Sequence, residues 1–139
     1  MIGKKTTVHK LTILQKRAVR IIDKASYLSH TGPIFKKYNL LKLEDIYTFT
    51  CCFFIFKFKA DMLPPICANL LNVRNYSEMT YILRDVSELI ILFGRTNLRK
   101  ASFTIVGPNI WESIPLEIRY QESLSQFKKI LRLFFLDSY

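Results

Sequence analysis

Residues 8–26 read VHKLTILQKRAVRIIDKAS, and their periodicity decides the fold class. Val8, Leu11, Leu14, Ala18, Ile21, Ile22 and Ala25 recur at the 3.6-residue spacing of a helix. At about 100° per residue they fill one arc. Lys10, Lys16, Arg17, Arg20 and Lys24 fill the opposite arc, where Ile13 is the lone apolar residue. The pattern predicts an amphipathic helix with a core-facing apolar side and a cationic back.

Outward from this helix, Gly32-Pro33 forms a break. Thr31 is placed to cap a short helix from Pro33 to Tyr38, ended by Asn39-Leu40. A second long helix is predicted over about 43–61. Glu44 and Asp45 fall in its first turn, where carboxylates oppose the positive dipole end. Its apolar residues nearly surround the axis, from Leu43 and Ile46 to Phe56 and Phe58, which marks a central helix. A strand over 49–58 competes, because aromatic residues suit sheets; the acidic start and the length favour helix. Leu63-Pro64-Pro65 ends it, with one helical turn expected over Ile66 to Leu71.

Residues 73–97 are the least readable. Asn75, Ser77 and Asn97 suggest loops, and Leu89 to Phe93 reads as a short strand or buried segment. Ala101 to Val106 alternates in part and reads as a second short strand, punctuated by Gly107-Pro108. One helical turn over Asn109 to Ser113 follows. A last helix is predicted over 124–136, with Ser123 and Gln126 at capping-box spacing. Leu124, Phe127, Ile130, Leu131, Phe134 and Phe135 form its apolar arc, and Lys128, Lys129 and Arg132 its basic one. The expected fold is mainly α: a small helical domain over residues 1–139, with one or two short strands in the C-terminal half. The apolar faces of the first and last helices are expected to meet the central one.

The 139 residues are half hydrophobic and 23% charged, a composition that supports a packed core and excludes a disordered tail. The formal net charge is +10, and it is segregated. Residues 1–42 hold ten Lys/Arg against one acid, Asp23, so almost the whole excess lies in the first third. Such a field attracts polyanions; a solubility device is the plainer explanation and stays open. Cys51, Cys52 and Cys67 show no CxxC and no nearby His, which implies a reducing compartment, and Cys51 and Cys52, inside an aromatic run, are expected to be buried free thiols. His9 and His30 are isolated, with a surface or capping role. No secretory signal follows the basic start. The most apolar stretch, Phe49 to Phe58, is interrupted by Lys57 and is well short of the ~20 residues of a transmembrane span.

Catalytic signatures are missing. No P-loop, GxGxxG, HExxH, GxSxG or zinc-ligand spacing occurs. Glu44-Asp45 is the one adjacent acidic pair, splayed about 100° apart on a helix, and Asp-Asp is absent. The expectation is a chain that is not an enzyme by itself, with no metal site and no cofactor.

Two groups of segments carry a resemblance. The first is Leu14-Gln15-Lys16-Arg17-Ala18-Val19-Arg20-Ile21-Ile22, then Ala25-Ser26-Tyr27, His30-Thr31-Gly32-Pro33-Ile34-Phe35 and Leu40-Leu41-Lys42-Leu43-Glu44-Asp45-Ile46-Tyr47. The second is Lys100-Ala101-Ser102-Phe103, then Gly107-Pro108-Asn109-Ile110-Trp111-Glu112-Ser113-Ile114-Pro115 and Ser123-Leu124-Ser125-Gln126-Phe127-Lys128-Lys129. Their order and spacing, over roughly residues 8–136, resemble the C-terminal region of reverse transcriptases from LINE-type, jockey-like non-LTR retrotransposons. That family often has Asn after the Trp, where this chain has Glu112.

The resemblance implies a non-catalytic tail of an RNA-directed DNA polymerase, without its endonuclease and polymerase domains, working inside the cell in nucleus or cytoplasm. It gives the cationic face a purpose. Lys10, Lys16, Arg17, Arg20 and Lys24 are the candidate contacts to an RNA or DNA backbone, where phosphates supply affinity without base readout. The alternative is a helical structural or protein-interaction domain that packs on the polymerase core and binds no nucleic acid. A weaker third reading is a basic amphipathic helix on anionic lipid. Trp111, between Gly107-Pro108 and Pro115, is read as a core residue rather than a base-stacking one.

Overall fold

In the computed structural model, which describes residues 2–67, 69–73 and 89–139 and side chains from residue 7 onward, seven α-helices are present. They are α1 (Ile2–Ile22), α2 (Gly32–Lys37), α3 (Leu43–Lys59), α4 (Asn97–Lys100), α5 (Phe103–Glu112), α6 (Leu116–Arg119) and α7 (Leu124–Asp137), with a 3-10 turn at Pro65–Cys67. The mainly α expectation holds. The expected strands are not present among the described residues. Leu89 makes only an isolated antiparallel bridge to Val73, and Ala101 to Val106 lies at the junction of α4 and α5. The loop readings at Asn75 and Ser77 fall outside the described residues, and Asn97 opens α4 behind its cap Thr96.

The chain forms two compact units, Met1–Thr50 with Gln121–Tyr139, and Cys51–Tyr120. In the first, α1 packs on α2 and α2 on α7. Val19, Ile34 and Phe35 form a buried cluster against which Ala25 and Tyr139 pack. Phe35 meets Tyr139 edge-on, with ring centroids 6.0 Å apart. Gly32 permits the close approach here, because a Cβ on it would lie 3.2 Å from the Tyr139 backbone carbon. From the predicted arc of α7, Phe127, Leu131 and Phe135 are buried and Leu124 and Ile130 half-buried, while Phe134 is exposed and Leu136, outside that arc, is buried. Ser123 does precede α7, but its side chain makes no cap bond and its hydroxyl pairs with that of Ser125.

α1 departs from the expected orientation. Its buried positions are Thr12 and Val19, flanked by half-buried Gln15, Lys16, Arg20 and Asp23. The apolar arc expected to face the core is on the surface: Val8, Leu11, Leu14, Ile21 and Ile22 are 42–77% exposed. Polar anchoring sets this rotation. The Gln15 amide donates to the Leu41 carbonyl at 2.9 Å and accepts from the Leu43 N–H at 3.0 Å, fixing α1 to the start of α3. Asp23 accepts from the Lys37 ammonium and from the Tyr38 hydroxyl. The lysine's hydrogen bond holds the Asp23 carboxyl below its ordinary value.

α1, α2 and α3 end alike. Lys24, Asn39 and Asp61 take left-handed φ values of 54°, 53° and 53°. In each the next N–H reaches back across the closing turn: Ala25 to Arg20, Leu40 to Phe35, Met62 to Lys57. These are Schellman closures, usually built on Gly. Left-handed strain at a non-Gly residue is about 1–2 kcal/mol, against about 0.4–1 kcal/mol for the freer unfolded chain that Gly brings. Lys24→Gly should therefore raise stability by about 0.5–1 kcal/mol net, seen as a higher urea midpoint; an unchanged or lower midpoint would contradict the closure.

In the second unit, Cys51, Cys52, Ile55 and Phe56 form the buried stripe of α3, at helical rather than alternating spacing. Leu89, Ile105, Trp111, Ile114 and Ile118 are also buried there. Phe54 and Phe103 meet edge-on at 5.1 Å. Gly107-Pro108, which reads as a break, sits inside α5 and is buried. A Cβ on Gly107 would lie 3.0 Å from the Phe103 ring, so the glycine makes room for that ring. Glu112 is paired with Arg119 at 3.0 Å, both largely shielded.

Candidate nucleic-acid interface

The five predicted cations do not form one uniform face. Lys10 and Arg17 lie on α1 and are both exposed, with half-buried Lys16 beside Arg17. Lys24 lies past the helix end, in the left-handed closure, and is exposed there. Arg20 is half-buried, and it serves the fold: its Nε donates to the Ser29 carbonyl at 2.9 Å and its guanidinium lies 5.9 Å from the Tyr27 ring centroid. Changing it to Gln would loosen the turn after α1, so Arg20 is not a free surface cation.

Other cations of the basic first third are engaged in the fold. Lys36 donates to the Asp137 carbonyl, Lys37 pairs with Asp23, and the Lys42 ammonium sits 3.7 Å from the Tyr139 ring centroid. Asp23, the single acid of this segment, is thereby occupied. Lys10, Arg17 and Lys24 have no ion-pair partner among the described residues. On the basic arc of α7, Arg132 is likewise structural, donating to the Asn39 carbonyl.

The structure brings Arg17 and Arg20 together with Ile21, Ala25 and Tyr27 around an open cavity of about 440 Å³. Tyr27 is 70% exposed. The sequence pattern assigns it no role, although an aromatic residue just past the last turn of a cationic helix is a usable signal. Trp111 is fully buried, as expected for a core residue. His9 and His30 are both exposed.

Cys51 and Cys52 are buried, as expected from their aromatic surroundings, and burial pushes the Cys52 thiol up to about 12. A thiol so raised is not a nucleophile near neutral pH. No group of three His, Cys, Asp or Glu that could hold a metal ion occurs among the described residues, and no helix there is long and apolar enough to cross a membrane. No protein-family model, no curated protein and no solved structure matches this chain.

Proposed function

We propose that the chain is the non-catalytic C-terminal region of a non-LTR retrotransposon reverse transcriptase, and that α1 supplies phosphate-backbone contacts to RNA or DNA. The ordered segments from Leu14 to Lys129 support the family reading. The observation that carries the binding role is that Lys10, Arg17 and Lys24 have no ion-pair partner among the described residues, in a segment whose only acid is held by Lys37. Cations so placed displace condensed counterions from a nucleic acid, giving affinity with little base readout. On this reading the chain works inside the cell, in nucleus or cytoplasm, and carries no polymerase or nuclease step.

The test is a salt titration of RNA and duplex DNA binding by fluorescence anisotropy. Three neutralised phosphates correspond to a log–log salt slope of about −2 to −3. A Lys10→Gln, Arg17→Gln, Lys24→Gln variant should bind more weakly and lose most of that slope. Arg20 is left intact because of its bond to Ser29. Absence of binding at low salt, or an unchanged slope in the variant, rejects the reading.

A second reading rests on a different observation, the surface exposure of Leu11, Leu14, Ile21 and Ile22 along one arc of α1. Contiguous exposed apolar residues mark contact surfaces. In that case α1 is a docking element for the polymerase core of the parent protein. Leu14→Lys would then abolish co-purification with that core while leaving the salt slope unchanged.

A further inference from the structure

We propose that the cavity at the end of α1 receives an unpaired nucleobase, stacked on Tyr27, so that the chain prefers single-stranded over duplex nucleic acid. This rests on the phosphate-binding reading above and specifies its substrate class. The cavity's lining combines the three things a nucleotide needs. Tyr27 offers an aromatic ring that is 70% exposed, with the Arg20 guanidinium 5.9 Å from its centroid. Ile21 and Ala25 supply apolar contact, and Arg17 and Arg20 supply planar donor groups suited to phosphate and base edges. At about 440 Å³ the space falls within the roughly 300–1,000 Å³ of small-molecule sites.

The platform is anchored. The Ser29 N–H closes the turn onto the Ser26 carbonyl, and Arg20 ties the same turn to α1 through Ser29. Ala25, two residues before Tyr27, packs against the buried cluster. The Arg20 terminal nitrogens have no hydrogen-bond partner among the described residues, so they remain donors to a ligand. Asp23 does not repel an incoming phosphate, because Lys37 and Tyr38 hold its carboxylate. A duplex cannot use this arrangement, since its bases are stacked inside the helix. A single strand can turn a base outward onto an aromatic face, a contact that tolerates any sequence.

The experiment compares the full chain and its Tyr27→Ala and Tyr27→Trp variants on a labelled oligouridylate and on a duplex with the same number of phosphates. Single-strand binding should be the tighter. Tyr27→Ala should weaken it roughly 5- to 100-fold, the effect of removing one stacked base, with the salt slope and duplex binding unchanged. Tyr27→Trp should restore it. Because Tyr27 is 70% exposed, the variants should keep the wild-type circular dichroism. Equal affinity for the two nucleic acids, or no effect of Tyr27→Ala, overturns the stacking site while leaving phosphate binding standing. No binding of either nucleic acid overturns both. Displacement of the strand by equimolar uridine monophosphate overturns the strand assignment in favour of a free-nucleotide site.

Discussion

Phe35→Ala is expected to lower the stability of the first unit by about 3–5 kcal/mol, the usual cost of emptying a fully buried phenylalanine site. Phe35 has no exposed surface, and Val19 and Ile34 beside it are 3% and 6% exposed. Little else covers the contact between α1 and α2, because the apolar arc of α1 points outward. The truncation also removes the edge-on partner of the Tyr139 ring. Chemical denaturation should show a lower urea midpoint with an unchanged m-value. Against a typical stability of about 5–15 kcal/mol such a loss is large. On the proposed function, nucleic-acid binding should fall with it, since Ala25, two residues before Tyr27, packs against this cluster. A loss below about 1 kcal/mol would mean the cluster does not hold α1.

The long helices α1, α3 and α7 were legible because their signals are local and agree with one another. α3 carries acids in its first turn and lysines in its last, matching the helix dipole, and its buried residues fall at i, i+1, i+4 and i+5. The orientation of α1 was not legible. Hydrophobic periodicity identifies a face that gains from a partner, but not which surface supplies it. Here the Gln15 clasp on residues 41 and 43 and the Asp23–Lys37 pair turn a polar flank inward. The end of α1 was hidden for another reason: a Schellman closure on Lys24 leaves no glycine to read. At Gly107-Pro108 the opposite occurred. Two residues with poor helix propensity are accommodated by packing against Phe103 and Ile55, so the pair reads as a break where α5 continues.

The candidate site divides in the same way. The charge excess of residues 1–42 could be counted, but not which cations the fold would occupy. Four of them, Arg20, Lys36, Lys37 and Lys42, make contacts with residues distant enough in sequence that no spacing rule connects them. Tyr27 gained its place in the cavity through the closure at Lys24, which turns the chain back beside Arg17 and Arg20.

Alkaline conditions should destabilise the second unit by up to about 4 kcal/mol through one thiol. Cys52 is fully buried, and that burial, reinforced by neighbouring Cys51, raises its pKa from 9.0 to about 12. The unfolded chain releases this proton above pH 9.0, whereas the folded chain keeps it to about 12. Between those limits the unfolded state binds fewer protons, so stability falls as pH rises. Roughly three pH units at about 1.36 kcal/mol each set the size of the loss. Below pH 9.0 both states are protonated and the contribution is flat. Tyr139 acts in the same direction in the first unit: burial, then its hydrogen bond to Asp45, raises its hydroxyl above the ordinary 10.0. Urea denaturation at a series of alkaline pH values resolves the two. Cys52→Ala should cost about 1 kcal/mol at neutral pH through the lost sulfur packing, yet remove the part of the slope that begins near pH 9.0. A wild-type slope retained in Cys52→Ala would mean that another group carries the alkaline transition. The same burial predicts that Cys52 resists iodoacetamide at neutral pH in the native chain and reacts once urea unfolds it.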